Sequence, residues 1–262
     1  MLDPFKRNIS YLRISVTDRC NLRCSYCMPE GIKQISRSDV LSFEEIVEVV
    51  KFSVGLGIKK IRITGGEPLV RKGIVHLIEM IASVKGIEDL AMTTNGVLLE
   101  KYADSLAKAG LKRVNVSLDT VDRMKFVEIT QKDVLKSVFK GIDAAQKAGL
   151  TPVKINCVLL NKEDSEYADG VKAYAVKNGL NIRFIHQMNL KTGDFSVIEG
   201  GTGGNCKICN RIRLTSNGLI KPCLFSDFGY HIRKLGIEKA ILLAIGNKPE
   251  SGTFNHSEDF LE

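Results

Sequence analysis

Six of the seven cysteines in this 262-residue chain fall into two tight groups: Cys20, Cys24 and Cys27, then Cys206, Cys209 and Cys223. The spacing Cys20-x3-Cys24-x2-Cys27 puts three thiolates on one short loop. Three thiolates hold three irons of a [4Fe–4S] cube and leave the fourth iron free to chelate a substrate or cofactor. A structural zinc site needs four ligands, and no histidine lies within residues 1–75 to complete one. The second group, Cys206-x2-Cys209-x13-Cys223, again supplies three thiolates, with His231 as the nearest histidine. Here a zinc site completed by His231 stands as the alternative to a second cluster. The seventh cysteine, Cys157, sits in the apolar run Val-Lys-Ile-Asn-Cys-Val-Leu-Leu and reads as a small buried hydrophobe.

The elements that must position these loops follow from hydrophobic periodicity. Short β-branched runs at 11–17, 59–64, 89–94, 113–118, 153–160 and 181–188 predict strands. Helical patterns lie between them at 42–55, 74–84, 98–109, 132–148 and 163–178. Ser42 followed by Glu45 is a capping-box pair at a helix start, and Gly57, Gly86, Gly110, Gly149 and Gly179 stand where helices should end. Repeated βα units imply a parallel sheet with helices outside. An open doubly wound sheet and a barrel or partial barrel compete; no GxGxxG follows the first strand, which weakens a dinucleotide fold. In a barrel, Cys20, Gly65-Gly66-Glu67, Thr93-Thr94-Asn95, Ser117, Asp119 and Met188 would gather at the C-terminal strand ends.

The expected organisation is a mixed α/β chain: a partial (β/α)6-type TIM barrel over 1–190, a flexible Gly-rich linker over 191–204, and a small C-terminal auxiliary region over 205–262. One helical pattern (233–245) precedes a polar tail read as poorly ordered or loosely docked. The formal charge of +8 favours anionic partners. No block of five or six like charges appears, and basic groups converging on a phosphorylated small molecule fit as well as nucleic acid does; composition alone does not choose. No apolar run approaches about 18 residues and the N-terminus lacks an apolar stretch, so the expected address is cytoplasmic, without a membrane partner. The four histidines are scattered and read as structural or surface residues.

The first cysteine loop, with Tyr26 before its last cysteine, resembles the signature of the radical S-adenosylmethionine (SAM) superfamily. Gly65-Gly66-Glu67-Pro68 resembles that superfamily's GGE motif, which meets the SAM amino group. The segment CKICNRIRLTSNGLIKPCLF resembles the auxiliary-cluster region of the molybdenum-cofactor GTP 3′,8-cyclase family. YLRISVTDRCNLRCSYCMP, KKIRITGGEPLVRK, MTTNG, RVNVSLD, VKINCV and IRFI match that family in order.

The resemblance implies a radical SAM lyase with two [4Fe–4S] clusters, ligated by Cys20, Cys24 and Cys27 and by Cys206, Cys209 and Cys223. The first would pass an electron to SAM, giving a 5′-deoxyadenosyl radical that takes the ribose 3′ hydrogen of GTP before the sugar attacks C8. Carried over by position, Arg13, Arg62, Thr93, Lys154, Arg211 and Arg213 match residues that contact GTP, Arg211 and Arg213 beside the base and its product radical. Tyr26, Gly66, Ser117 and Met188 match residues that contact SAM, with Glu67 in the same motif. Lys60 and Arg183 are expected near the triphosphate. An electron donor such as ferredoxin or flavodoxin is implied, and a homodimer is expected.

The charges support the transfer. Arg13, Arg62, Lys154 and Arg183 all lie within predicted strands, and cations facing a barrel interior are costly without an anion. A triphosphate supplies about four negative charges and suits bidentate arginine. Two departures from the family pattern stand out. Only 17 residues separate Met188 from Cys206, where the family carries a longer stretch, and the chain closes Asp-Phe-Leu-Glu where the family has a Gly-Gly pair. The barrel should therefore be more open, and a divergent radical SAM enzyme acting on another nucleotide or a peptide is the alternative.

Overall fold

A computed structural model describes residues 1–27, 35–159, 165–189 and 195–252. The βα rhythm is β1 (Tyr11–Ser15), α1 (Phe43–Gly55), β2 (Lys60–Thr64), α2 (Ile74–Ala82), β3 (Asp89–Thr94), α3 (Leu99–Lys108) and β4 (Arg113–Ser117). It continues with α4 (Arg123–Thr130), α5 (Leu135–Lys147), β5 (Lys154–Leu159), α6 (Ser165–Lys177) and β6 (Asn181–His186). The C-terminal part adds β7 (Arg211–Leu214), β8 (Leu219–Lys221), β9 (Tyr230–His231), α7 (Ile232–Leu235) and α8 (Ile237–Gly246).

All nine strands form one sheet in the order β6-β5-β4-β3-β2-β1-β7-β8-β9. Pairing is parallel from β6 through β1 to β7 and antiparallel from β7 through β9. The sheet does not close, so this is a partial barrel with β6 and β9 at its edges. The C-terminal strands continue the barrel sheet because β7 pairs with β1 along Tyr11–Arg211 to Ile14–Leu214.

The strands alternate by face. Leu12, Ile14, Ile61, Ile63, Leu90, Met92, Val114, Val116, Ile155 and Cys157 are buried in the core with the apolar stripes of the helices. Burial of each such aliphatic side chain contributes about 1.5–3 kcal/mol, and this layer fixes which residues point the other way. Their neighbours on the opposite face are tyrosine, arginine, lysine and asparagine. The helices are bounded as their caps dictate: Ser42 Oγ accepts the Glu45 N–H (3.2 Å) while Glu45 Oε2 accepts the Ser42 N–H (2.7 Å). Gly110 is left-handed at φ 99°, and a Cβ there would sit 2.6 Å from the Ala82 methyl.

The periodicity reading left out the strands β7, β8 and β9, and it differs at two further places. The segment before 132 carries a separate helix, α4, capped by Asp122 and ended by Gln131 at φ 57°. Residues 246–252, read as a loosely docked tail, pack against the second cysteine group, and Lys248 is 3% exposed. The rest of that tail lies outside the described residues. No helix among the described residues is long and apolar enough to cross a membrane.

Candidate active site

On the concave face of the sheet lies a cavity of about 340 Å³ whose wall holds Arg13, Lys60, Arg62, Arg113, Lys154, Arg183 and Arg211, against one acid, Asp89. Strand register produces this convergence. Arg213, Arg13 and Arg62 lie side by side on β7, β1 and β2, and Arg211, Tyr11 and Lys60 form the row two residues earlier. Side chains two apart share a face, so both rows project together. Asp89 is taken by Arg113, whose Nε and Nη2 donate to its two oxygens at 3.1 and 2.5 Å. Among the described residues the other six cations have no carboxylate partner.

Neutral groups orient them instead. Arg62 donates through Nε to the Tyr11 hydroxyl and through Nη1 to Thr93 Oγ1 at 3.3 Å. The Tyr11 ring lies 5.8 Å from the Arg62 guanidinium and 5.7 Å from that of Arg211. Arg183 donates to the Gly200 carbonyl (3.2 Å) and Arg211 to Thr202 Oγ1 (3.0 Å), so the glycine-rich segment forms part of the wall. Arg13 has the most severe environment: its Nε is buried without a hydrogen-bond partner. Burial, then the Arg213 charge, pushes its guanidinium down to about 9. Lys154 and Arg183 are likewise lowered, first by burial and then by neighbouring cations. A site so charged is complementary to a polyanion.

The first cysteine loop is fastened to strand ends. Gly66 N–H donates to the Thr17 carbonyl (2.7 Å) and Glu67 N–H to that of Arg19 (2.8 Å). A Cβ on Gly66 would lie 2.3 Å from the Arg19 oxygen, so glycine is required by close approach. The buried Glu67 carboxylate accepts from Leu69 N–H (3.0 Å), Thr94 Oγ1 (2.7 Å) and Asn95 N–H (2.6 Å), joining the ends of β2 and β3. Asn95 in turn donates to Asn21 Oδ1 at 2.8 Å inside the loop. Tyr26 donates to Asp119 Oδ2 (2.7 Å), while Asp119 Oδ1 accepts the Val158 N–H (2.8 Å). Asp119, expected only to gather at the strand ends, is thus a positioning residue.

Burial pushes the Cys24 thiol up to about 12, with Asp119, Cys27 and Cys20 adding to the rise. Negative charge on Cys20 and Cys27 opposes ionisation of Cys24, so the set needs cationic metal to ionise together. An all-sulfur donor set on one loop fits an iron–sulfur cluster. Ser117 closes β4 opposite Asn156.

A second cavity of about 170 Å³ adjoins the first, sharing Arg13, Ile185, Ile198, Gly203 and Arg211 with it. Cys206, Cys209 and Cys223 all line it, with Arg213, Met188 and Lys248. This donor set is again all sulfur and suits a cluster. His231 lies outside that wall, its Nδ1 accepting the Arg233 N–H (3.1 Å) at the start of α7, so the zinc alternative loses its fourth ligand. Burial raises the Cys206 thiol; at Cys209 burial acts the same way but is outweighed by Lys248 and the Arg211 N–H, leaving it below the ordinary value. Arg7, paired with Asp3 at 2.6 Å, donates to the carbonyls of Cys206, Pro249 and Glu250.

Arg13, Lys60, Arg62, Thr93, Lys154, Arg183 and Arg211 therefore share one cavity, while Arg213 and Met188 stand in the next. Tyr11, Asp89, Arg113 and Asn115 join the first wall, although sequence reasoning singled out none of them as site residues. Strand alternation was the available signal, since Tyr11 is two positions from Arg13 and Arg113 two from Asn115.

Comparison with known proteins gives the family and the fold. A sequence profile of the radical SAM superfamily matches residues 14–173. The GTP 3′,8-cyclase of Thermodesulfovibrio yellowstonii is 42% identical over 313 residues, covering 98% of this chain and 97% of its own. That of Peptoclostridium acidaminophilum is 40% identical over 308 residues, covering 98% and 95%. Both aligned lengths exceed the 262 residues of this chain, which is the shorter form. Among solved structures, Streptococcus suis SuiB bound to the precursor peptide SuiA superposes with a TM-score of 0.73 at 16% identity, over 94% of this chain and 66% of that one. Native anSMEcpe with bound AdoMet gives 0.65 at 18%, over 94% and 82%. At these identities the two structures speak for the fold.

Proposed function

The chain belongs to the radical SAM superfamily and, within it, to the GTP 3′,8-cyclase family, and from that premise we infer that it converts GTP to (8S)-3′,8-cyclo-7,8-dihydroguanosine 5′-triphosphate, opening molybdenum cofactor biosynthesis. The observation that carries this reading is the cavity wall of seven cations against one acid, already paired. Arg13, Lys60, Arg62, Lys154 and Arg183 hold the triphosphate, with Thr93 fixing Arg62. Arg211 lines both cavities and Arg213 the second, where they meet the base and its product radical. Tyr26, Gly66, Glu67, Ser117 and Met188 form the SAM side, with Glu67 acting through the strand ends it joins.

SAM and the cluster on Cys20, Cys24 and Cys27, when bound, supply the radical that takes the ribose 3′ hydrogen. The residues of the chain hold that ribose still, and oriented binding is where such a site gains rate. Cys206, Cys209 and Cys223 hold a second [4Fe–4S] cluster; their place in the wall of one cavity supports this. A ferredoxin or flavodoxin supplies the electron, consistent with the exposed Cys27 edge of the first loop. A homodimer is part of the same reading, supported by exposed Phe5 and Ile208 beside the Arg7–Cys206 contact.

The test is an anaerobic reaction of reconstituted, reduced protein with SAM and GTP, followed by mass spectrometry. A GTP isomer of unchanged mass formed together with 5′-deoxyadenosine is expected. 5′-Deoxyadenosine beside untouched GTP would remove GTP as the substrate.

A further inference from the structure

Lys248 belongs to none of the motifs, yet it occupies the sulfur-lined cavity at 3% exposure. Its Nζ donates to the Arg211 carbonyl at 2.8 Å and to the Pro222 carbonyl at 2.8 Å. Cys209 and Cys223, in the same cavity, are the groups whose negative charge favours its protonated form. The two carbonyls take two of the ammonium's three donors. Lys248 ties the segment two residues after Cys209 to the segment just before Cys223.

Two carbonyls do not explain a buried cation. A neutral amide satisfies them without the several kcal/mol that burying an ammonium costs. The nearby Arg7 also donates to backbone carbonyls of this region, but its charge is balanced by Asp3 at 2.6 Å. Among the described residues Lys248 has no carboxylate partner, and it is absent from the wall of the GTP cavity. What remains to balance it is negative charge on the thiolates and the group they ligate.

We propose that Lys248 is a positioning residue for the second iron–sulfur cluster, balancing its charge through Cys209 and raising its reduction potential. The inference rests on the two-cluster reading above. A cation beside the ligand sulfurs favours the more negative, reduced cluster. It also holds the two cysteine-bearing segments at the cluster's width, which a mobile surface lysine does not.

The experiment compares anaerobically reconstituted wild type, Lys248→Gln and Lys248→Arg by iron and sulfide content and by redox titration followed by electron paramagnetic resonance. Lys248→Gln keeps a donor for the carbonyls and drops the charge; Lys248→Arg keeps the charge. Wild type is expected to hold about eight irons, two cubes. In Lys248→Gln the reduced-to-oxidised ratio of the second cluster at fixed potential falls about tenfold, or about 59 mV for a one-electron couple. Lys248→Arg stays near wild type, and the first cluster is unmoved in both. A wild-type midpoint in Lys248→Gln would overturn the proposal, as would loss of the second cluster's irons from both variants, which marks a purely structural tie. Four irons in wild type would instead bring down the two-cluster reading itself.

Discussion

At the scale of single residues, Arg13 bears the heaviest electrostatic load. It sits beside Arg62 and Arg213 in one row of the sheet, with its Nε unpartnered. Its folded value of about 9 lies below that of a free guanidinium. Between those two values the unfolded chain binds the extra proton, so stability of the nucleotide-free protein rises with pH there; below about 9 the penalty is present in full. Arg13→Met is therefore expected to stabilise the nucleotide-free protein by about 1–4 kcal/mol in urea unfolding while weakening GTP binding. A bound triphosphate restores the guanidinium's proton affinity. Near pH 9, where the guanidinium is half deprotonated, wild type should then take up as much as about half a proton on binding GTP that Arg13→Met does not, whereas the two agree at pH 7.5. Calorimetry in buffers of different ionisation enthalpy reads this directly, and equal proton counts at pH 9 contradict it. Arg13 was legible in the sequence through its strand and its motif. Asp119 was not, because its partners Tyr26 and Val158 lie 93 and 39 positions away.

At the scale of elements, strands such as β1, β2 and β4 were readable because one face is aliphatic and residue types alternate, as in Leu12 and Ile14 around Arg13. The helix α4 was not: Met124 is 72% exposed while Phe126 and Ile129 are buried, so its eight residues show no long apolar stripe. The GGE turn was visible as a motif, but the reason for its second glycine is three-dimensional, the Arg19 carbonyl lying where a Cβ belongs. Gly66→Ala is accordingly expected to cost about 1–3 kcal/mol by overpacking and to lower SAM affinity, because the backbone of the cysteine loop must move. Gly55→Ala, in α1 with nothing within 4 Å of its Cβ, should stabilise by about 0.5–1 kcal/mol. Parallel thermal melts check the pair; equal shifts for both would refute the close-approach account.

At the scale of the whole molecule, the open sheet leaves a concave face lined with charge where a closed barrel carries packed aliphatic layers. Its shape needs β7, which brings Arg211 and Arg213 alongside Tyr11 and Arg13 from two hundred residues away. No periodicity in the sequence announces that pairing, and the same holds for residues 246–252, whose polar composition conceals a buried lysine. The central claim is that this face is built for a polyphosphate. Its most direct test is equilibrium binding of GTP and GMP to the reconstituted protein. Losing two charge-assisted contacts of about 1.5 kcal/mol each predicts GMP binding roughly 100-fold weaker than GTP. Equal affinity for the two nucleotides would contradict it.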